Sequence, residues 1–82
     1  MNNREKYDAL FIDTFMLEAE ELNGLKYQEV PSWDSVGHMQ LMTALEESFG
    51  IELDIDDIIE FSSYEMGKTI LRKYSIEIDQ PT

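Results

Sequence analysis

The sequence predicts an all-α fold, a small four-helix bundle with three longer helices and one short one. Three observations carry that expectation. Apolar residues recur at three- and four-residue spacing in separate stretches of the chain. Polar capping residues and glycine mark where those stretches begin and end. The one alternating segment, Ile51-Glu52-Leu53-Asp54-Ile55, has no second segment of like pattern to pair with, so it reads as an extended connector.

A first helix is expected over about residues 3–17, capped by Asn3. Tyr7, Leu10, Phe11 and Phe15 share a face that Ala9, Ile12 and Met16 widen, which implies contact with more than one neighbour. Periodicity is then lost over a long loop, residues 18–34, broken by Asn23-Gly24 and Pro31. Leu22, Leu25 and Tyr27 are expected to pin this loop, which has room for one helical turn. Val30 precedes a proline and should be extended. Long ordered loops in small domains tend to be functional. Trp33 reads as a brace between the loop and the core.

A second helix, residues 35–49, opens at Ser35 and closes at Gly50. Leu41, Met42, Leu45 and Phe49 form its buried face, with His38 at the edge. Val36, Gln40, Thr43 and Glu47 form a second, mixed row that begins beside Ser35. Asp56 or Asp57 can cap a short helix over residues 56–61 that holds Ile58, Ile59 and Phe61. Ser62-x-x-Glu65 reads as a capping box for a last helix, residues 63–74. Its apolar face is Met66, Ile70, Leu71 and Tyr74, and Lys68, Arg72 and Lys73 suit its negative C-terminal end. Ile76 and Ile78 are expected to pack back and residues 79–82 to fray. Met39, Met42 and Met66 read as core.

Composition narrows the chemistry. Eighty-two residues make a single domain, 1–82. The absence of cysteine excludes disulfides, thiolate metal sites and a cysteine nucleophile, so any thioester chemistry needs a sulfur supplied by an attached group. No apolar run reaches the length of a membrane span and Met1–Asp8 carries no signal-peptide core, so a soluble, cytoplasmic protein is expected, without membrane insertion. Six basic residues stand against 18 acidic ones, a net charge of −12. From Tyr27 to Gly67 there is no Lys or Arg. Such a field repels nucleic acid and attracts basic protein surfaces. Ser35, His38 and an aspartate do not make a hydrolytic triad, because neighbouring helical positions lack the geometry and no G-x-S-x-G elbow is present. Asp54 to Asp57 do not make a calcium loop, since Ile58 takes a ligand position and the turn glycine is missing.

A serine before an amphipathic run is ordinarily an N-cap. It also sits where unpaired amides and the positive helix end favour a phosphate. Asp34-Ser35-Val36 resembles the Asp-Ser-Leu attachment motif of acyl carrier proteins, and Leu45-Glu46-Glu47-Ser48-Phe49 resembles that family's Leu-Glu-Glu-Glu-Phe. Ile51-Glu52-Leu53, the short acidic helix and the capped last helix follow in the family's order. The resemblance spans nearly the whole chain and is strongest from Trp33 to Tyr74.

The resemblance implies a carrier with no active site of its own. A phosphopantetheinyl transferase would move 4′-phosphopantetheine from coenzyme A onto Ser35, with Asp34 as the motif neighbour. The arm's thiol would then hold acyl groups as thioesters for fatty-acid, polyketide or specialised-metabolite biosynthesis. Loading and acyl-transfer enzymes with basic docking patches would read Val36, Gln40, Thr43 and Glu47, with Asp34 and Glu46 nearby, on a monomeric carrier. The methionines between helices could part to admit an acyl chain. Several positions depart from the family pattern. Val36 replaces leucine, Gln40 replaces the usual Glu, and Gly37-His38 replaces an acidic-polar pair. Gly37 is expected to loosen the first turn by up to about 1 kcal/mol. The Gly-Gly pair of many peptidyl carriers is absent, and the Trp-Asp-Ser-Val-Gly form is closer to discrete specialised-pathway or D-alanyl carriers. A D-alanyl or other aminoacyl carrier therefore stays open, as does an unmodified acidic helical interaction module.

Overall fold

The first helix, α1 (Asn3–Phe15), stops where Met16 turns into the left-handed region (φ 56°) and Leu17 bonds back to the Ile12 carbonyl at 3.1 Å. That reversal places Leu17 in the core and leaves Met16 90% exposed, so Met16 does not extend the apolar face of α1. At the other end the cap is Asn2 rather than Asn3. Its side chain accepts from the Glu5 amide at 2.8 Å, and Glu5 accepts from the Asn2 amide at 3.2 Å.

A computed structural model describes residues 2–79. After α1 come a short 3-10 turn (Ala19–Glu21), α2 (Ser35–Phe49), α3 (Ile55–Glu60) and α4 (Tyr64–Arg72), an all-α bundle with three longer helices and one short one. Residues 51–54 belong to no helix or strand, as a connector should, and the one β-bridge among the described residues joins Lys26 to Ser63. Among the described residues, no helix is long and apolar enough to cross a membrane.

The core is largely aromatic. Tyr7, Phe11 and Phe15 project from α1 onto Trp33, Phe61 and Tyr64, with ring centroids 5.2–6.2 Å apart. Leu41, Met42 and Leu45 close it from α2, and Ile70 and Leu71 from α4. Tyr7 is fully buried and donates to the Tyr64 carbonyl at 2.6 Å, which answers its hydroxyl without water. Gly67 lets α4 come this close, for a β-carbon there would lie 2.2 Å from both the Phe61 ring and the Tyr7 hydroxyl.

Several boundaries differ from expectation for local reasons. Ser63, not Ser62, caps α4 by accepting from the Met66 amide at 2.9 Å. The capping-box position is therefore Met66, and Glu65 pairs instead with Lys68 at 3.2 Å. Neither Asp56 nor Asp57 caps α3, which begins at Ile55 after Asp54. Asp57 instead turns inward, 3% exposed, and accepts from Lys73 and from the Tyr74 hydroxyl at 2.6 Å. The face opposite it leaves Ile55 and Ile59 largely in solvent. Met39 and Met66 also lie at the surface, so of the three methionines read as core only Met42 is buried. Past α4, Ser75 adopts φ 65° and Ile76 bonds back to Leu71, so that Ile76 and Ile78 pack inward as expected. Asp79, read as the start of a frayed tail, is paired with Arg4 and Lys68. Residues 80–82 lie outside the described residues.

Candidate functional site

Ser35 is the first residue of α2 and is exposed, but it does not cap the helix. Asp34 does. Its Oδ1 accepts from the Gly37 amide at 2.8 Å, and its carbonyl accepts from His38 at 2.8 Å. A carboxylate at this end also opposes the positive helix terminus favourably. The consequence for Ser35 is chemical: its hydroxyl is not committed to the helix. Of the first-turn amides, those of Gly37 and His38 are taken, leaving those of Ser35 and Val36 without a partner inside the helix.

Two loop contacts fix where this helix starts. The Ser32 hydroxyl donates to the Phe15 carbonyl at 3.0 Å, tying the loop to the end of α1. Gly37 is buried against the same loop, and a β-carbon there would sit 2.0 Å from the Ser32 carbonyl oxygen and 3.1 Å from the Phe15 ring. Gly37 is thus a close-packing position, not a loosened turn.

Trp33 is fully buried, stacked on Phe15 at 5.2 Å, and its indole donates to Nδ1 of His38 at 2.9 Å. Nε2 of His38 lies 2.7 Å from the Ile58 carbonyl. An indole only donates and a carbonyl only accepts, so the imidazole is the neutral Nε2–H tautomer with both nitrogens engaged. It has a structural role, tying α2 to the loop on one side and to α3 on the other. No carboxylate orients it toward Ser35.

Above Ser35 stands Tyr27, whose phenol oxygen is 3.3 Å from Ser35 Oγ. Its ring meets Trp33 and His38 edge-on, at 6.2 and 5.4 Å. Between α2 and α3 opens a mainly apolar pocket of about 350 Å³, walled by Tyr27, Ser35, His38, Met39, Ile59 and Phe61. A wider trough of about 590 Å³ runs along α2 from Ser35 past Val36 and Gln40 to Thr43 and Glu47. Ser35 and Met39 belong to both.

Val36 (67% exposed), Gln40, Thr43 and Glu47 thus share one exposed strip of α2 with Ser35, as the sequence spacing requires. Glu46 does not join them. It is half-buried, and its Oε2 accepts from the Leu53 amide at 2.8 Å, so it holds the connector after α2. Met39, Ile55 and Ile59 add exposed apolar area that sequence periodicity assigned to the interior or to the connector. Tyr27 was legible only as a loop anchor, because nothing in a spacing of eight residues across a loop reports a contact.

The charge around this face is uncompensated. Arg4, Lys68, Arg72 and Lys73 pair with Asp8, Asp79, Glu65, Glu77 and Asp57. Among the described residues, Asp34, Glu47, Asp54, Asp56 and Glu60 form no ion pair. Comparison with protein-family models, with curated proteins and with solved structures finds no match to this chain.

Proposed function

We propose that this chain is an acyl carrier whose attachment point is Ser35. One observation supports the reading above the others: an exposed serine hydroxyl, released from capping by Asp34, stands where an apolar pocket and an exposed recognition strip meet. The residues fit 4′-phosphopantetheine. Two amides without helical partners and a phenol lie around the hydroxyl, and the one adjoining carboxylate is turned to the Gly37 amide.

In the transfer, Ser35 Oγ forms a bond to the β-phosphorus of coenzyme A. The pyrophosphate P–O bond breaks, 3′,5′-adenosine diphosphate leaves, and the serine proton passes to a base of the phosphopantetheinyl transferase. When attached, the group supplies a thiol that holds cargo as a thioester. The chain's own residues bind, orient and present. His38 is not free to act as acid or base, since both its nitrogens are held by Trp33 and Ile58. Val36 offers an apolar anchor, while Glu47 and the unpaired acids of α3 attract loading and acyl-transfer enzymes with basic docking patches. Tethering raises the cargo's effective concentration at each enzyme visited. The apolar pocket beside Ser35 favours an acyl chain over D-alanyl or another small aminoacyl group. The setting that suits this traffic is the cytoplasm, with the carrier acting as a monomer.

A second reading, an unmodified acidic interaction module, draws on exposed Val36, Met39, Ile55 and Ile59 set among uncompensated carboxylates. Intact mass after incubation with coenzyme A and a broad-specificity phosphopantetheinyl transferase separates the two. A carrier gains one phosphopantetheine and Ser35→Ala gains none; an interaction module is unchanged in both forms.

A further inference from the structure

The phenol over Ser35 has a rigid mount. The Tyr27 amide donates to the Ser62 carbonyl at 2.9 Å, and the Tyr64 amide donates to the Leu25 carbonyl at 2.9 Å, so the loop is stitched to the segment between α3 and α4. Trp33 and His38 hold the ring edge-on, and the hydroxyl's hydrogen-bond partner is Ser35 Oγ.

Esterification of Ser35 removes its hydroxyl proton and brings to the same spot two non-bridging oxygens that share one negative charge. A cation would be the usual answer, but no Lys or Arg occurs between Tyr27 and Gly67. His38 Nε2–H is already given to Ile58. Ser62 also lines the pocket, but the side-chain hydroxyl within reach of Ser35 Oγ is that of Tyr27.

We propose that Tyr27 is a positioning residue for the group carried on Ser35: its hydroxyl donates to a phosphodiester oxygen and turns the arm toward the pocket between α2 and α3. The proposal rests on the carrier reading of Ser35. A hydrogen bond to a charged acceptor is short and directional, so it orients the first bonds of an otherwise flexible arm. Removing the hydroxyl leaves no buried group unpaired, because Ser35 is exposed, and Tyr27→Phe keeps the ring contacts with Trp33 and His38.

The test is phosphorus NMR on the enzymatically loaded full chain. The folded wild type is expected to show a phosphodiester resonance displaced from that of the same protein in denaturant. Tyr27→Phe should return it to the denatured position while the Trp33 indole resonance stays in place, and Ser62→Ala should leave it displaced. A second measurement uses the wild type alone: cross-relaxation between the phosphorus and the Tyr27 ring protons should be present. Coincident resonances in wild type and a folded Tyr27→Phe, or no cross-relaxation, would overturn the role of Tyr27 while the carrier reading stands. Failure of the wild type to accept the arm from a transferase that loads a control carrier would overturn both.

Discussion

The Trp33 indole donates to Nδ1 of His38 at 2.9 Å, and the same imidazole reaches the Ile58 carbonyl at 2.7 Å. Trp33 belongs to the loop, His38 to the first turn of α2, and Ile58 to α3, so one ring joins three segments that meet around Ser35. Each bond fixes the other: the donor at Nδ1 obliges Nε2 to carry the proton. The wall of the pocket beside Ser35 is therefore held by polar bonds as well as by packing.

Replacing His38 by Phe should keep the ring volume and strand both partners. A buried indole N–H and the Ile58 carbonyl then lose their hydrogen bonds, at a cost of about 1–3 kcal/mol for an unsatisfied group. Urea denaturation should register that loss, with most of it recovered when Trp33→Phe is added and the unpaired donor removed. Nitrogen-15 shifts of the imidazole should show the Nε2–H tautomer; an Nδ1–H tautomer would contradict the Trp33 bond.

Gly37→Ala tests two opposed effects. Helix propensity favours alanine by about 1 kcal/mol. The new β-carbon would fall 2.0 Å from the Ser32 carbonyl oxygen, a backbone atom anchored through the Phe15 carbonyl, so it cannot move aside cheaply. Overpacking costs about 1–3 kcal/mol, and the net effect should be destabilising. An alanine variant more stable than wild type in urea would show that the loop yields.

What the sequence revealed followed from periodicity. The buried faces of α1 and α2, the lack of a strand at residues 51–54, the Gly50 stop at φ 65° and the bracing role of Trp33 are all local or periodic signals, and they hold, although Ile55, expected in the connector, opens α3. What it hid was tertiary. Asp34 and Ser35 are both good caps, and only the loop geometry set by Ser32 and Gly37 decides that Asp34 takes the position. Ser62 and Ser63 pose the same ambiguity, settled by the bond between Tyr27 and Ser62. Met16 and Met39 match the apolar period, but backbone reversal and the short α3 leave them uncovered. The exposed strip of Val36, Gln40, Thr43 and Glu47 was legible, because a helix with one face buried must show the other. Glu46, expected near that strip, has its carboxylate drawn to the Leu53 amide, and that tie was hidden because it depends on the chain folding back after Gly50.

Asp57 should contribute to the acid limb of stability. The Lys73 hydrogen bond, then that of Tyr74, holds its carboxyl below the ordinary carboxylate value against the opposing effect of burial. A depressed folded value means that the unfolded chain takes up the proton first. The stabilisation is therefore present in full above the unfolded value of about 4 and is lost as pH falls toward the depressed folded value. Asp57→Asn should lower stability at neutral pH and flatten the decline below pH of about 4. Tyr74→Phe, which removes the bond to Asp57 and the one from the Asp54 amide at 3.0 Å, should cost about 1 kcal/mol. Denaturation midpoints across acid pH read both effects.

Glu46 and Glu47 are neighbours with opposite assignments, and that contrast is testable. Glu47 is exposed on the strip that begins at Ser35, and no cation among the described residues pairs with it. Glu47→Lys should leave stability within about 0.5 kcal/mol of wild type, as surface changes usually do. It should slow association with an enzyme bearing a basic patch, and the difference should shrink as salt rises because such steering is screened. Glu46→Ala should do the reverse. It removes the acceptor of the Leu53 amide, costing about 1 kcal/mol, while leaving the association rate near wild type. Stopped-flow association at two ionic strengths, beside thermal denaturation of both variants, measures all four quantities. Equal association rates for wild type and Glu47→Lys at low salt would remove this strip from the docking surface.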